Sequence, residues 1–425
     1  MRVLGQLSCL LLAGGGWIGA AAHDITGSAQ QQQHVLHDGG ASRGPVDGAS
    51  GGGGGGIPES LFSDLERLAR LVDIAYCVGT TGISPPFSCA SRCGEFPGMQ
   101  LVTAWNTGAL LTDSCGYVAV DRTAEDGHGQ QQAAPGAIVV AFRGTYSITN
   151  TVIDLSTVPQ EYVPYPESPG DGDGDGDGDG DGDGEEEEDA ASPRREKCSN
   201  CTVHMGFLAS WRMARGLVLP AVRKAKRLHP NYPVRLVGHS LGGAVAALAA
   251  LELRLVEGWD DVDVTTFGEP RVGNKGLADF IDKVFGLGGG GGHERYRRVT
   301  HAGDPVPLLP LSEWGYRAHA GEIYIGKPAL PPYPEDVRLC RGAHDPACSD
   351  PAESSRSPSG VLERLARAIR GEGEARVPTR LKLWELFFSH RDYFWRLGLC
   401  VPGGDPADWG RDRYRFEPPS RQDEL

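Results

Sequence analysis

VRLVGHSLGGAVAALAA, residues 234–250, is the stretch that decides the fold. Its first four residues, 234–237, form a short β-rich run, and the Ala- and Leu-rich residues 244–255 have the composition of a helix. Between them stands GHSLG at 238–242, which matches the G-x-S-x-G pattern of a nucleophile elbow. The stretch therefore predicts a strand that turns directly into a helix, with a serine at the turn.

The elbow requires small residues on both sides of the serine. A strand that turns straight into a helix strains the backbone at the turn, and the two segments close only when the flanking positions are small. Gly238 and Gly242 meet this requirement. The turn would lift the Ser240 hydroxyl to the helix N-terminus, where the N–H of Leu241 can face a developing oxyanion. The alternative is an ordinary Gly-rich turn with a buried serine.

Low-complexity segments occupy much of the 425-residue chain. Residues 24–57 are rich in Gln, Gly and Ser, residues 170–189 form an acidic repeat, and residues 341–380 are rich in Pro, Ser and Arg. The remainder is enough for one globular domain of roughly 300 residues. We expect a signal peptide at 1–22, a linker or pro-segment at 23–57, the folded domain with its two inserts at 58–400, and a tail at 401–425.

The two ends of the chain carry targeting signals. Residues 1–22 have one Arg, an apolar stretch and a small-residue end, the pattern of a secretory signal peptide cleaved near Ala22. No later apolar run is long enough to span a bilayer, so we expect a secreted protein without a transmembrane segment. QDEL at 422–425 is similar to the K-D-E-L retrieval signal, which makes the ER lumen the alternative location.

The cysteines agree with an oxidising compartment. Nine follow the expected signal peptide, so one must stay unpaired or pair between chains. Three sets are close enough in sequence for local disulfide loops, although spacing proves no connectivity. These sets are Cys89 with Cys93, Cys198 with Cys201, and Cys340 with Cys348.

The net charge of −15 does not describe the folded domain. Residues 171–189 contain twelve acids and no base, which leaves −3 for the rest of the chain. No basic patch interleaved with aromatic residues is present, so the sequence gives no support for a nucleic-acid partner. No set of residues has the spacing of a metal site, and the chemistry considered below needs no cofactor. The oligomeric state is left open.

Strand-like and helix-like runs alternate on both sides of the elbow. An amphipathic helix is predicted at 58–77, a long helix at 204–228 and a third near 276–285. Alternation of this kind around G-x-S-x-G predicts an α/β fold with a mostly parallel central sheet and helices on both faces. The strand-like runs are 100–105, 116–120, 137–142, 262–267, 296–300 and 322–325.

Five blocks of sequence stand in a fixed order: FRGT at 142–145, GHSLGG at 238–243, FGEPRVGN at 267–274, VTHAGDPVPLLP at 299–310, and a histidine before the terminal Leu399-Cys400. Together they resemble the filamentous-fungal class 3 lipases, which are α/β-hydrolases. Five blocks in the family order are a far more specific signal than one G-x-S-x-G alone. The resemblance covers roughly residues 60–400 and implies a single-domain α/β-hydrolase.

Hydrolysis by a serine nucleophile needs a base and an acid partner. In α/β-hydrolases the three residues follow one another in the order Ser, Asp, His. Asp304 follows a predicted strand in Gly-Asp-Pro, although Asp-Pro also favours plain turns. The resemblance implies that Asp304 is the acid and His390 the base. The runner-up base is His319, and we expect His239 to point elsewhere and His301 to pack behind the acid.

The resemblance also assigns an oxyanion hole and a lid. It implies that the N–H and hydroxyl of Thr145 act with the N–H of Leu241 on the oxyanion. The next segment carries apolar residues at helical spacing and corresponds to the family's lid, a helix that covers the site in water and opens on lipid. The alternative is a helix that only caps the core. The predicted lid residues are Ile148, Val152, Ile153 and Leu155.

These features predict a triacylglycerol lipase that acts at a lipid–water interface through an acyl-enzyme. Its partners would be an acylglycerol or other ester substrate and, transiently, a lipid surface. A feruloyl esterase or phospholipase on the same fold is the alternative enzyme, because the acyl pocket cannot be read from the sequence. A non-catalytic binding protein would lack a member of the triad, and all members are present.

Overall fold

The computed structural model describes residues 56–108, 113–122, 136–145, 162–164, 198, 200–287, 295–349 and 389–402, with the backbone alone at 162–164. The expected signal peptide, the acidic stretch 170–189 and most of 341–380 lie outside the described residues. So do all four predicted lid residues: Ile148, Val152, Ile153 and Leu155.

The helices and strands follow the predicted alternation. The helices are α1 (Glu59–Ala75), α2 (Met205–Leu228), α3 (Leu241–Leu255) and α4 (Lys275–Phe285). The strands are β1 (Met99–Asn106), β2 (Cys115–Asp121), β3 (Ala137–Phe142), β4 (Tyr162–Pro164), β5 (Thr202–His204), β6 (Val234–His239), β7 (Val262–Phe267), β8 (Gly273–Asn274), β9 (Tyr296–His301), β10 (Tyr316–Arg317), β11 (Glu322–Ile325) and β12 (Val337–Leu339).

The main sheet has a parallel centre with antiparallel ends. Within the described residues its order is β1-β2-β3-β6-β7-β9-β11-β12. Strands β3, β6, β7, β9 and β11 are parallel to their neighbours in this series, and β1, β2 and β12 pair antiparallel. The predicted mostly parallel sheet is confirmed. A smaller antiparallel sheet has the order β10-β8-β5-β4.

Each face of the main sheet covers its own hydrophobic core, because successive strand side chains point to opposite faces. In β3, Ile138 and Val140 contribute to one core with α2, α3 and α4, whereas Val139 and Ala141 contribute to the other with α1. The second core also contains the aromatic residues of 393–395. Helices therefore lie on both faces, as predicted. No helix among the described residues has the length and apolarity needed to cross a membrane.

Helix α3 begins earlier than predicted. Its first residue is Leu241, directly after Ser240, whereas composition alone suggested a start at Ala244. Glycine normally weakens a helix, which is why the sequence pattern excluded Gly242 and Gly243. Gly242 is nevertheless needed in the first turn, because a Cβ there would stand 2.5 Å from the carbonyl oxygen of Phe142. All residues from Leu241 to Leu253 are buried, which explains a helix that is apolar on every side.

Four disulfides join the described cysteines. The three local pairs suggested by spacing are confirmed: Cys89–Cys93, Cys198–Cys201 and Cys340–Cys348. The fourth, Cys77–Cys400, connects the end of α1 to the last described segment across 323 positions. The odd cysteine is Cys115, which is buried and not disulfide-bonded. The cysteine spacing could not reveal the long-range pair.

Candidate active site

Ser240 occupies the strained elbow that its sequence predicts. Its backbone has φ 58° and ψ −131°, a left-handed φ that side chains rarely adopt and that strand-to-helix elbows impose on the nucleophile. The Ser240 N–H donates to the carbonyl of Phe267 at 2.9 Å, which ties the turn to β7. A Cβ on Gly238 would stand 2.3 Å from the Gly242 carbonyl oxygen. Both glycines are therefore required for the close approach of strand and helix.

Asp304 and His390 lie together, as the sequence predicts. The His390 Nδ1 atom is 2.9 Å from each carboxylate oxygen of Asp304. Asp304 follows β9 at the carboxyl edge of the parallel strands, and His390 reaches the same edge from the last described segment. Asp304 is 5 % exposed and His390 is not exposed at all. A carboxylate oxygen only accepts hydrogen bonds, so Nδ1 carries the proton and Nε2 is left as the basic nitrogen.

Further donors hold the Asp304 carboxylate. The Tyr393 hydroxyl donates to Oδ2 at 2.6 Å, and the N–H of Val306 donates to Oδ1 at 2.9 Å. Burial alone would raise the pKa of Asp304, but the adjacent His390 and the hydrogen bonds from His390, Tyr393 and Val306 lower it below its ordinary value. Asp304 therefore stays ionised in a buried site, and a negative charge faces the base. Burial and the Asp304 carboxylate raise the pKa of Tyr393, so its hydroxyl stays a donor.

The rival histidines belong to other contacts. The Nε2 of His319 lies 3.1 Å from Oε1 of Glu269, a separate buried pair. Glu269 also accepts from the hydroxyls of Thr266 at 2.6 Å and Tyr296 at 2.9 Å. The Nε2 of His301 bonds to the carbonyl of Lys327 at 2.9 Å. The geometry thus favours His390 over His319, the order that the sequence predicted.

Neither ring nitrogen of His239 bonds to Ser240, in agreement with the prediction that it points elsewhere, but its ring lies against the base, which the sequence did not indicate. Its ring stacks on the ring of His390 with centroids 4.7 Å apart. Its Nε2 lies 2.8 Å from the His390 carbonyl oxygen, and its Nδ1 lies 2.5 Å from the Tyr76 hydroxyl. His239 is the last residue of β6 and lies on the same face of the sheet as Val237, beside Tyr76 and Tyr393 of the second core.

The loop after β3 borders the nucleophile. A Cβ on Gly144 would stand 2.9 Å from the Ser240 Cβ, so this loop leaves no space for a side chain beside the serine. Thr145 follows directly and is half-buried. Leu241 is the first residue of α3, and its N–H has no intrahelical acceptor. Leu241 therefore lies directly after Ser240, and Thr145 lies directly after Gly144, which borders Ser240.

Two atoms of this site are buried without a hydrogen bond in the described part of the chain. They are the Ser240 hydroxyl oxygen and the His390 Nε2. In unliganded hydrolases the bond between nucleophile and base is often long and tightens only with substrate. A nucleophilic hydroxyl, an imidazole held by a carboxylate and N–H groups at a helix start are together suited to acyl transfer.

The sequence did not point to Tyr393 or Tyr76 as site residues. Tyr393 lies three residues after His390, and this proximity in an otherwise irregular segment is the one signal that could have suggested it. Tyr76 lies at the end of α1, far from every motif in sequence, and no pattern connects it to His239.

The sheet order, the elbow at Ser240 and the Asp304–His390 pair place the chain among the α/β-hydrolases. The family model for lipase (class 3) matches residues 139–314. Among solved structures, the Lip2 lipase of Yarrowia lipolytica is similar with a TM-score of 0.60 and 26% identity, over 82% of this chain and 97% of that one.

Curated relatives are closer in sequence. A secreted mono- and diacylglycerol lipase 2 of Gibberella zeae is 53% identical over 90% of this chain and 92% of its own length. Lipase A of Sodiomyces alcalophilus is 55% identical over 84% of this chain and 86% of its own. The chain belongs to the class 3 lipase family, whose members are carboxylic ester hydrolases.

Proposed function

We propose that this protein hydrolyses acylglycerol esters with Ser240 as nucleophile, His390 as base and Asp304 as its acid partner. One observation carries the proposal: His390 Nδ1 bonds to Asp304 at 2.9 Å, while its Nε2 and the strained, buried Ser240 hydroxyl keep their hydrogen-bonding capacity. Similarity to relatives named as mono- and diacylglycerol lipases supports the substrate class.

The proposed reaction has two halves. Ser240 Oγ attacks the ester carbonyl while His390 Nε2 takes its proton, and the negative charge on the carbonyl oxygen is stabilised by Leu241 N–H and by Thr145. Collapse of this intermediate transfers the proton to the leaving glycerol oxygen and leaves an acyl-enzyme. Water, deprotonated by His390, then releases the fatty acid. Asp304 stabilises the imidazolium in both halves.

The degree of acylation of the substrate is a finer question. The sequence resemblance predicts triacylglycerol, whereas the names of the mono- and diacylglycerol lipases among the relatives favour partial glycerides. The feruloyl esterase and phospholipase alternatives have no support from these names. A soluble aromatic ester and a phospholipid belong in the same assay, since efficient hydrolysis of either would revive them.

We propose that the segment after Thr145 acts as a lid and that the enzyme works at an interface. Support comes from the apolar spacing of Ile148, Val152 and Leu155 and from the position of this segment directly after the oxyanion loop. The test is the rate of dioleoylglycerol hydrolysis across its solubility limit. A rate that rises when droplets form supports a lid, and a rate that saturates with monomeric substrate argues against it.

We propose that the protein enters the secretory pathway. The signal-like residues 1–22, the four disulfides and the word "secreted" in a relative's name support this. Whether QDEL retains the chain in the ER is tested by an internally tagged protein with and without residues 422–425. Retention that depends on these residues would establish the ER alternative, and equal secretion would exclude it.

The deciding experiment uses protein that begins at about residue 23. Hydrolysis of tri-, di- and monooleoylglycerol is measured with the wild type and with Ser240→Ala. Activity that disappears in Ser240→Ala supports Ser240 as the nucleophile, and activity that survives would overturn the mechanism. Activity confined to phospholipid or aromatic esters would overturn the substrate class while leaving the nucleophile in place.

A further inference from the structure

His239 links the nucleophile to the base segment: it precedes Ser240 in the chain, and its side chain hydrogen-bonds to the backbone of His390. It is the residue before Ser240, it is fully buried, and its ring stacks on His390. Its Nε2 lies 2.8 Å from the backbone oxygen of His390, and its Nδ1 lies 2.5 Å from the Tyr76 hydroxyl. Both ring nitrogens are therefore used, although His239 takes no part in the reaction proposed above.

The chemistry of the partners fixes the direction of each bond. A backbone carbonyl can only accept, so the proton of His239 resides on Nε2. Nδ1 must then accept, and the Tyr76 O–H donates to it. The Tyr76 oxygen in turn accepts from the N–H of Gly144, the residue beside Thr145. These assignments give a directed chain from the Gly144 N–H through Tyr76 and His239 to the His390 carbonyl.

Burial keeps this chain uncharged. Burial first, and then the nearby His390, lowers the pKa of His239 to about 3. Burial raises the pKa of Tyr76 far above neutral pH. The other charged groups that act on the pair are Asp304, Asp73, Arg143 and Arg391, and none of them changes these directions. Neither ring changes its protonation across the range in which an esterase works, so the hydrogen bonds keep one direction.

We propose that His239 and Tyr76 are positioning residues. They set the distance between His390 and Ser240, and they fix the position of the oxyanion loop relative to these two residues. The base needs such a device, because it lies 150 positions after the nucleophile, and the described residues from His390 to 402 form no named helix or strand. Asp304 fixes the side chain of His390, while His239 fixes its backbone from the elbow itself. This inference rests on the proposed function of Ser240 and His390.

A displacement of about 1 Å at such a site can cost about 100-fold in rate. We therefore expect Tyr76→Phe to lower kcat on a soluble ester by about 10- to 100-fold while KM changes little, because Tyr76 is buried and acts through His239 and Gly144. Phenylalanine preserves the ring packing and removes only the hydroxyl. His239→Gln, which retains a side-chain N–H donor, should keep more activity than His239→Phe.

The matched control is Tyr117→Phe. Tyr117 is also fully buried, belongs to the same core as Tyr76, and donates its hydroxyl to a backbone carbonyl, that of Leu71, at 2.8 Å. Loss of either hydroxyl should lower stability to a similar extent, because each removes one buried hydrogen bond. Only Tyr76→Phe should slow catalysis. Equal kcat values for Tyr76→Phe and Tyr117→Phe would reduce Tyr76 to a structural residue and overturn the proposal.

The closing experiment measures the rate at which a small organophosphonate labels Ser240. Labelling needs the activated nucleophile but no acylglycerol. It therefore tests Ser240 as the nucleophile separately from the positioning role of Tyr76 and His239. No labelling of the wild type would contradict the proposed nucleophile. Labelling of the wild type that slows by about 10-fold or more in Tyr76→Phe, and not in Tyr117→Phe, supports positioning. Equal labelling rates for the wild type, Tyr76→Phe and Tyr117→Phe would overturn the positioning role and leave Ser240 as the nucleophile.

A measurement on the unmodified protein covers the case in which a variant fails to fold. With ¹⁵N-labelled histidine, NMR distinguishes a neutral ring protonated on Nε2 from one protonated on Nδ1. We expect His239 to be the neutral Nε2–H form from pH 5 to pH 8. A proton on Nδ1, or titration of His239 within this range, would break the directed chain and exclude the proposal.

Discussion

The Nδ1 atom of His390 lies 2.9 Å from both carboxylate oxygens of Asp304, although 86 positions separate the two residues. Each oxygen has a further donor, Tyr393 on one and the Val306 N–H on the other. The carboxylate is thus fixed from three directions and cannot rotate away from the imidazole. Its orientation determines which nitrogen of His390 faces Ser240.

The first prediction concerns this carboxylate. Asp304→Asn should lower kcat by about 10³- to 10⁴-fold, because an amide can donate to Nδ1 and so favour the wrong tautomer of His390. Hydrolysis of a soluble ester by the purified variant measures the effect. Asp279→Asn is the control, since Asp279 is exposed and pairs with Lys275 on α4, away from the site. A kcat for Asp304→Asn within tenfold of the wild type would contradict this role.

The second prediction concerns Gly268, where the chain passes directly against the site. Its φ is +62°, and a Cβ would stand 2.7 Å from the Tyr393 hydroxyl and 2.8 Å from His390 Cε1. Gly268→Ala should therefore displace the base and reduce kcat by about 100-fold or more. The cost of the backbone conformation alone, roughly 1 kcal/mol, should appear in stability as well.

Gly258 provides the matched control for that substitution. Its φ is +69°, nearly the same, and nothing lies within 4 Å of a Cβ there. Gly258→Ala should show the conformational cost in urea unfolding and retain full kcat. If both variants lose activity equally, the loss comes from backbone strain and the contact with His390 is not responsible.

The residues around the nucleophile were predictable because strand, turn and helix follow one another without a break in the sequence. Local rules decide such a stretch: β-rich residues before the turn, two glycines that permit the close approach, and an Ala-rich run after it. Ser240, Gly238 and Gly242 all lie where these rules place them. Strand β3, which precedes the oxyanion loop, also matches its prediction residue for residue.

The contacts that organise the site from a distance were not predictable. Tyr76 and His239 are 163 positions apart, and Cys77 and Cys400 are 323 apart, so no periodicity connects them. Pairing over such distances depends on how α1 and the last segment pack on the same face of the sheet. A local sequence pattern carries no information about that packing, which is why the sequence did not predict the contacts of His239 with Tyr76 and with the segment that carries His390.

The third prediction concerns the disulfide Cys77–Cys400. It closes a loop of 323 positions, and Cys400 lies ten residues after His390. The disulfide therefore constrains both the unfolded chain and the segment that carries the base. Loop entropy predicts a loss of about 5 kcal/mol for the double variant with Ser at both positions, against about 2 to 3 kcal/mol for the same change at Cys340 and Cys348. Urea unfolding measures both.

Activity gives a second readout for the same variants. Loss of Cys77–Cys400 should abolish ester hydrolysis at a lower urea concentration than it unfolds the helices, because the segment with His390 is released first. Loss of Cys340–Cys348 should leave the loss of ester hydrolysis and the unfolding of the helices at the same urea concentration. Coincident transitions in both variants would mean that the long-range disulfide has no special relation to the base.

The last prediction concerns Asp73, which binds the same segment from α1. Asp73 is 1 % exposed; it accepts from the Gly398 N–H at 2.7 Å and from Arg92 Nε at 3.4 Å. Burial raises its pKa to about 6 even though Arg92 and the Gly398 N–H lower it. The folded state therefore holds a proton that the unfolded chain, with its ordinary pKa, has already released.

The sign of the pH dependence follows from that difference. Where the folded state binds more protons, stability falls as pH rises, so this group should lower the free energy of unfolding between about pH 4 and pH 6 and change nothing above. A shift of about two pKa units corresponds to about 3 kcal/mol at most. The difference between wild type and Asp73→Asn, measured by urea unfolding at pH 4 to 7, isolates this contribution because the other groups cancel. Parallel curves would show that Asp73 stays ionised in the folded state and that its bonds to Arg92 and Gly398 outweigh the cost of burial.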